Sequence, residues 1–278
     1  MGFGLILALT AALAYGASDF VGGTGSRRHS PWGVVLIGQV GGAALMVACG
    51  LVVPADPRTT DFAWALLAGA GSAAGSIFLY RGLSRGRMGL VAPVSAVGAA
   101  VLPVLAGVVL GERPTWLAWL GVLFALPGIW LVSGGSTASA ADTHGALVDG
   151  AAAGAGFGVL FIALGQVSSH AGFMPLAANQ LFGAGATVAV AVALGQEWRP
   201  RPGVLAWGSA SGALGAGGTV TFLLSTHATD LGLAAVLTSL YPAVTVLFAS
   251  IALGERLAGG QRLGIGICTL AVATLAIG

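Results

Sequence analysis

Residues 89–121 read GLVAPVSAVGAAVLPVLAGVVLGERPTWLAWLG, and residues 232–264 read GLAAVLTSLYPAVTVLFASIALGERLAGGQRLG. A shift of 143 positions aligns the two stretches and places Leu-Gly-Glu-Arg at 110–113 on Leu-Gly-Glu-Arg at 253–256. Each copy is an apolar run, a charged Glu-Arg pair and a second run with few charges. Because charged residues are rare in this chain, a charged pair at the same phase in both copies indicates an internal duplication.

The composition indicates a membrane protein. Only 7% of the 278 residues are charged and 56% are hydrophobic, whereas a soluble domain carries about 25% charged residues. The lipid bilayer is therefore the expected environment of the chain. All eleven basic residues are arginines, so no lysine is present to serve a P-loop or a Schiff base. A net charge of +2 also gives no basic patch for nucleic acid, and we expect no nucleic-acid partner.

Apolar runs of about 20 residues are long enough to cross a bilayer as helices. The sequence predicts an all-α integral membrane protein with ten transmembrane helices. The predicted spans are 3–22, 32–53, 62–83, 88–110, 115–132, 145–168, 173–194, 203–226, 231–253 and 260–277. Prolines in the fourth and ninth spans predict bends there.

The longest connector, SGGSTASAADTH at 133–144, is small and polar, as a linker between two halves would be. Residues 1–132 then form a first five-helix repeat, and residues 145–278 form a second. An odd number of helices per repeat makes the second repeat enter the membrane upside down. The predicted architecture is therefore two inverted five-helix repeats (5+5), which is typical of secondary transporters.

The arginines are distributed unevenly between the two sides of this predicted topology. Only Arg58 and Arg113 fall on the side that holds both termini. The other nine are Arg27, Arg28, Arg81, Arg85, Arg87, Arg199, Arg201, Arg256 and Arg262. The positive-inside rule makes the nine-arginine side cytoplasmic, so the charge bias favours both termini outside.

The chain resembles the EamA family of the drug/metabolite transporter superfamily. The resemblance rests on the duplicated Gly-Glu-Arg, on LAYGASDF at 13–20 and on LYRGLSRGRMGLVAPVS at 79–95. It implies a multi-pass carrier of the cell (inner) membrane that moves small metabolites, amino acids or drugs by alternating access. Better-known members keep both termini in the cytoplasm, which is opposite to the expectation from the arginines.

Asp19 is the one acid well inside an apolar run, and Tyr15 precedes it by four residues on the same helical face. Polar groups inside spans are costly in lipid and usually face the bundle interior. Asp19 is therefore either a proton or cation site, or an interfacial acid close to Arg27 and Arg28.

Polar residues recur at equivalent places in the two halves. The 143-residue shift pairs Ser76 with Thr219 and Ser95 with Thr238, and a shift of 141 pairs Gln39 with Gln180. Such pairs would line a pseudo-symmetric midplane site or form interhelical hydrogen bonds. Tyr80 extends a stripe with Ser72 and Ser76, and Tyr241 would stack on substrate or fill the bundle. The predicted substrate-binding residues are Tyr15, Asp19, Gln39, Ser76, Tyr80, Ser95, Gln180, Thr219, Thr238 and Tyr241.

Motifs of enzymes are absent from the sequence. It contains no HExxH, no Gly-x-Ser-x-Gly and no His/Cys cluster with zinc spacing. We therefore predict no catalytic residue, no metal and no cofactor, and an intramembrane enzyme or a scaffold is disfavoured. Glu112 and Glu255 are expected to cap the ends of spans.

The sequence thus predicts a secondary transporter of small polar metabolites, such as amino acids. The alternative is a proton-coupled exporter of cationic drugs that uses Asp19. A small-molecule substrate is the expected partner, and a monomer suffices because the repeat supplies a pseudo-dimer.

Overall fold

The computed structural model describes residues 2–84, 88–132, 140–253 and 257–277, with the backbone alone described at 80–84, 88–90, 92–93, 140–143, 146 and 276. The regular secondary structure in these ranges is helical. The helices are α1 (Gly2–Ser26), α2 (Pro31–Val52), α3 (Thr59–Ser84), α4 (Met88–Val109), α5 (Trp116–Val132), α6 (Ala140–Gly165), α7 (Met174–Ala193), α8 (Val204–Thr226), α9 (Leu231–Thr238), α10 (Tyr241–Leu253) and α11 (Gly259–Ile277).

Ten spans produce eleven helices because α9 and α10 are two parts of the ninth span. The interruption falls at Ser239 and Leu240, just before Pro242. Proline has no N–H, so Pro242 cannot donate to the carbonyl of Thr238 and the helix cannot continue regularly. The predicted bend is confirmed in this span. In contrast, α4 is one uninterrupted helix although it contains Pro93 and Pro103.

Within the residues whose side chains are described, six helices are long and apolar enough to cross a membrane, and two shorter apolar helices accompany them. Among the described helices, the largest difference from a predicted boundary is at the start of the sixth span. Helix α6 begins at Ala140, so the last five residues of the predicted linker, 140–144, belong to the helix. Small residues such as alanine favour helix formation, and a polar composition alone did not reveal where the linker ends.

The helix packing has the pattern of two inverted repeats. Helix α1 packs on α8 as α6 packs on α3, and α2 packs on α8 as α7 packs on α3. Helices α2 and α7 pair with each other, as do α5 and α11. Each of these two pairs joins one helix to its own counterpart, so both pairs lie on the pseudo-twofold axis. The predicted 5+5 architecture is confirmed.

The repeat also holds at the level of single contacts. The Tyr15 ring lies on Gly218, where a Cβ would come within 2.9 Å of it, and the Phe157 ring lies on Gly75, where a Cβ would come within 2.7 Å. Tyr15 and Gly218 are the counterparts of Phe157 and Gly75, with shifts of 142 and 143 residues. Small residues thus allow α1 and α6 to approach their partners closely in both halves.

The loops form two ends of the molecule. At the arginine-rich end, the Ser30 hydroxyl donates to the carbonyl of Glu197, and the Gln261 amide donates to the carbonyl of Val132 over 3.4 Å. Five described arginines belong to this end: Arg27, Arg28, Arg199, Arg201 and Arg262. The opposite end, called the closed end below, contains the loops 53–58, 110–115, 166–173 and 227–230 with Arg58 and Arg113.

Candidate substrate-binding site

A cavity of about 1400 Å³ enters the bundle from the arginine-rich end. Ser26, Ser30 and Gln196 lie at its mouth, and Tyr15 and Thr219 lie at its floor near the middle of the helices. Helices of both repeats contribute to the wall, because the cavity lies between them. The inverted packing therefore produces a central chamber that opens at the arginine-rich end.

Asp19 lies in the wall of this cavity. Helices surround the side chain, yet it remains solvent-exposed because the cavity reaches it. Within the described ranges, no group donates a hydrogen bond to its carboxylate and no cation pairs with it. The phenolic hydroxyls of Tyr15 and Tyr241 lie within electrostatic range of Asp19, and the Tyr15 hydroxyl is 3.0 Å from the Thr219 hydroxyl. The structure thus places Asp19 in the cavity.

The glutamine pair spans the pseudo-twofold axis between α2 and α7. The Gln39 amide lies against Gly183, and the Gln180 amide lies against Gly42. These two contacts exchange under the repeat, because Gly183 is the counterpart of Gly42. The Thr187 hydroxyl also donates to Gln39 Oε1 over 3.2 Å. Both glutamines line the cavity and contact the neighbouring helix, and Gln39 also accepts the interhelical hydrogen bond.

The hydroxyl pairs behave less symmetrically. Ser76 and Thr219 line the cavity. Ser95 also reaches its wall but is only 2% exposed, and its hydroxyl has no partner among the described residues. Thr238 does not line the cavity, and of the two predicted alternatives it shows the interhelical hydrogen bond. It is fully buried in α9 and its hydroxyl contacts the Ala8 carbonyl at 3.4 Å.

The remaining predicted site residues are three tyrosines. Tyr241 and Tyr15 line the cavity, as predicted. The side chain of Tyr80 lies outside the described residues.

Several polar residues of the cavity were missed by sequence reasoning. Ser18 and Ser211 join α1 to α8, with each hydroxyl donating to the carbonyl of the other residue at 2.8 and 3.0 Å. Asn179 and Thr245 also line the cavity. A small signal was present, since Ser18 precedes Asp19 and Asn179 precedes Gln180, but a lone serine or threonine in a helix usually bonds its own backbone.

A thin apolar seal separates this cavity from the closed end. The rings of Phe161 and Phe222 pack against each other at a tilt of 42°, with centroids 4.7 Å apart, and join α6 to α8. Beyond them lies a vestibule of about 730 Å³, which opens at the closed end and is lined by Val220 and Leu223. Thr219 lies in the wall of the cavity and its neighbour Val220 in the wall of the vestibule. Along α8, the cavity and the vestibule therefore approach each other within one helical turn.

Glu112 holds the closed end across the two repeats. Its carboxylate accepts hydrogen bonds from the backbone N–H groups of Leu231 and, over 3.1 Å, Gly232. These are the first N–H groups of α9, which have no partner inside their own helix. The expectation that Glu112 caps a span end is confirmed, whereas Glu255 lies outside the described residues. Burial raises the pKa of the Glu112 carboxyl above its ordinary value and outweighs the opposite effect of the two hydrogen bonds.

Asp61 forms a second link at the same end. Its carboxylate accepts from the backbone N–H groups of Arg58 and Ser168, each over 2.8 Å, and from the Ser168 hydroxyl over 3.1 Å. It therefore ties the start of α3 to the loop between α6 and α7. Sequence reasoning missed this residue because two of its three partners are backbone N–H groups, which no residue type marks in advance.

The two halves of the chain each match the same family. The model of the EamA-like transporter family matches residues 2–134 and again residues 146–277. The chain belongs to the EamA-like transporter family. It is therefore a multi-pass membrane transporter.

Structural comparison agrees on the fold. One solved structure, described only as "Crystal structure of protein", matches with a TM-score of 0.79 and 18% sequence identity. The match covers 98% of this chain and 95% of the other, so the two chains share one fold over nearly their whole length. A search of curated proteins finds no significant match.

Proposed function

We propose that this EamA-like protein is a secondary transporter of small polar solutes, such as amino acids or related metabolites, and works by alternating access. The observation that carries the proposal is a chamber of about 1400 Å³ between the two repeats, which opens at the arginine-rich end and ends near the paired rings of Phe161 and Phe222. Inverted repeats supply the movement, because each repeat can adopt the conformation of the other and so exchange the open end. The chamber lies within one chain, which makes a monomer sufficient.

The side chains of the chamber favour a solute with hydrogen-bonding groups. Hydroxyls and amides dominate its polar surface, for example Ser76, Thr219, Gln39 and Gln180. The described lining contains two acids, Asp19 and Glu197, and no arginine. A zwitterionic, neutral or cationic solute therefore fits this wall better than an anion does.

We also propose that the arginine-rich end faces the cytoplasm of the cell membrane. Five of the seven described arginines belong to that end, and cytoplasmic loops carry the excess of positive charge. The chamber is then open to the inside. A single cysteine at position 196, labelled with an impermeant maleimide in intact cells, tests this. If position 196 reacts before the cells are broken, the arginine-rich end faces outside and the proposed orientation is wrong.

Transport is tested by uptake and efflux of a panel of radiolabelled amino acids in proteoliposomes. We expect saturable flux of at least one solute. Thr219→Val removes the hydroxyl that contacts Tyr15 and should lower kcat/KM for that solute by about tenfold, since a hydrogen bond lost from a buried polar site costs about 1–3 kcal/mol.

The matched control is Thr269→Val. Thr269 bonds the carbonyl four residues before it, as Thr219 does, but its side chain is exposed on the outside of α11. This variant should transport like the wild type. Flux that is equal in empty liposomes, or lost equally in both variants, would contradict the proposal.

A second candidate is proton-coupled export of organic cations. The observation that favours it is the Asp19 carboxylate, which faces the chamber with no partner among the described side chains. A pH gradient that drives an organic cation out of wild-type proteoliposomes, but not out of Asp19→Asn proteoliposomes, would select this function. If neutral amino acids are taken up at a rate that does not depend on the pH gradient, the transport of small polar solutes is supported instead.

A further inference from the structure

The repeat assigns a counterpart to Asp19 in the second half of the chain. Tyr15-Gly16 in α1 aligns with Phe157-Gly158 in α6 at a shift of 142 residues. Gly16 lies against α10, where a Cβ would meet Val244, and Gly158 lies against α4, where a Cβ would meet Leu102. Sequence and packing therefore agree on the register between α1 and α6. In that register the counterpart of Asp19 is Phe161.

Phe161 is a central residue of the seal. It is 4% exposed and stacks on Phe222, which is fully buried. The counterpart of Phe222, at a shift of 143 residues, is Leu79, and Leu79 lines the open chamber together with Asp19. One repeat thus closes its end with two aromatic rings, while the equivalent place in the other repeat holds a carboxylate and a leucine.

From this juxtaposition we propose that the arginine-rich end closes only when one positive charge, a proton or the ammonium group of a solute, neutralises Asp19. The inference rests on the proposed function, because it assumes that the two repeats exchange conformations. If α1 and α3 close as α6 and α8 do, Asp19 enters the position that Phe161 occupies in the seal. That position is dry and close-packed.

The energetic reason is the cost of burying a charge. An isolated carboxylate moved from water into an apolar, close-packed site loses many kcal/mol of hydration, far more than the few kcal/mol by which transporter states differ. A proton removes the charge, and an ammonium group compensates it. Without either, the end remains open and the carrier cannot return through its empty, ionised form.

Among the residues whose side chains the structure describes, none supplies a cation to Asp19. The titratable groups near it in the described structure are the hydroxyls of Tyr15, on its own helix, and Tyr241, on α10. Helix α8 presents Ser211 and Thr219, which do not ionise, and α2 presents Gln39 to the same chamber. Arg28 lies instead over the Trp207 ring, 5.8 Å from its centroid. Glu197 is at the mouth and pairs with Arg201.

The test measures closure directly and needs no known solute. In a Cys49→Ala, Cys268→Ala background, the reporter is Ser72→Cys, since Ser72 lines the chamber in α3. Its rate of alkylation by a maleimide that enters from the arginine-rich end is measured from about pH 5 to about pH 8.5, a range that spans shifted carboxyl pKa values. The same rate is measured with Asp19→Asn added, because the ratio of the two cancels the pH dependence of the thiol itself.

We expect the two rates to be similar at low pH, where both side chains are neutral. As the pH rises, ionised Asp19 holds the end open and the wild-type rate should exceed that of Asp19→Asn by roughly threefold or more, as a shift between two populations requires. Asp19→Glu should restore the pH response. Asp56→Asn, which removes an exposed acid of the closed end outside this chamber, should leave the response as in the wild type.

A second arm identifies the source of the charge. At the high-pH limit, choline is compared with its neutral isostere 3,3-dimethylbutan-1-ol. If choline alone slows alkylation, and only while Asp19 is present, an ammonium group supplies the charge. If neither compound acts but pH does, the proton supplies it. A rate ratio that is constant with pH, together with no effect of choline, would overturn the inference while leaving any measured solute flux, and hence the proposed function, intact.

Discussion

The two ends of the molecule contain equivalent helices but different chemistry. At the closed end, α6 and α8 meet through Phe161 and Phe222. At the arginine-rich end, the equivalent helices α1 and α3 face an open chamber with Asp19 and Leu79. The two repeats therefore share the same helix framework, but the residues at these equivalent positions differ in chemistry. The two ends should therefore close under different conditions.

The largest effect is expected when the closed end receives an acid at the position equivalent to Asp19. Phe161→Asp puts a carboxylate into the seal, and a charge at the centre of a membrane helix costs about 3 kcal/mol. The melting temperature in detergent should fall, and a cysteine at position 72 should become reactive from the closed end. Phe161→Leu keeps the site apolar and is the control. If Phe161→Asp changes neither the melting temperature nor the reactivity of position 72, Phe161 does not seal the closed end and the contrast between the two ends fails.

The next effect concerns the close helix contacts that hold the framework. A Cβ at Gly212 would lie 2.0 Å from the Gly38 carbonyl, and at the equivalent Gly69 it would lie 2.9 Å from the Asn179 carbonyl. Gly212→Val should therefore destabilise the fold by about 1–3 kcal/mol or more, through overpacking, and Gly69→Val should cost less. Gly217→Val, in open space on the same helix as Gly212, is the control. Thermal unfolding of the three variants in detergent decides the order, and equal losses would show that the two contacts are equivalent.

A smaller effect is expected at the cap of the closed end. Glu112→Ala leaves the first N–H groups of α9 without their acceptor, and loss of such a cap costs about 0.5–2 kcal/mol. The same substitution at exposed Glu197, which pairs only with Arg201 among the described residues, should cost less than about 1 kcal/mol. Chemical denaturation or thermal scans compare the two variants. Similar losses would mean that Glu112 contributes no more than a surface ion pair.

The smallest effect is the pH dependence of that cap. Because burial raises the pKa of Glu112, the folded protein binds this proton more tightly than the unfolded chain does. The stability that Glu112 contributes is complete below the ordinary glutamate pKa and is lost as the pH rises through the raised value. The melting temperature of the wild type relative to Glu112→Gln should therefore decrease from about pH 4 towards neutral pH. If this melting temperature difference instead increases with pH, the pKa of Glu112 is lowered in the folded protein and not raised.

The fold could be predicted because the repeat and the apolar runs can be read directly from the sequence. The 143-residue shift predicted the two inverted halves, and Pro242 predicted the break in the ninth span. The shift could not predict that Ser95 reaches the chamber wall while its counterpart Thr238 is buried in α9. Equivalent positions in a carrier have different surroundings when one end is open and the other closed, so sequence symmetry overstates the symmetry of the site.

The sequence also could not reveal contacts made by backbone groups. Asp61 binds the N–H groups of Arg58 and Ser168, and Ser18 and Ser211 bind each other's carbonyls. Every residue has such groups, so no residue type marks them in advance. Asp19 was identified because an acid inside an apolar run is rare, whereas its position in the chamber depends on the packing of α1 against α8 and α10.

The thinness of the seal has an electrical consequence. Water in the chamber and in the vestibule brings the potential of each bulk solution deep into the protein, so most of the membrane voltage falls across the short layer around Phe161 and Phe222. A unit charge that crosses that layer exchanges about 2.3 kcal/mol with the field for every 100 mV. The rate of any step that carries charge through this layer should therefore respond to the membrane voltage, although no charged helix moves.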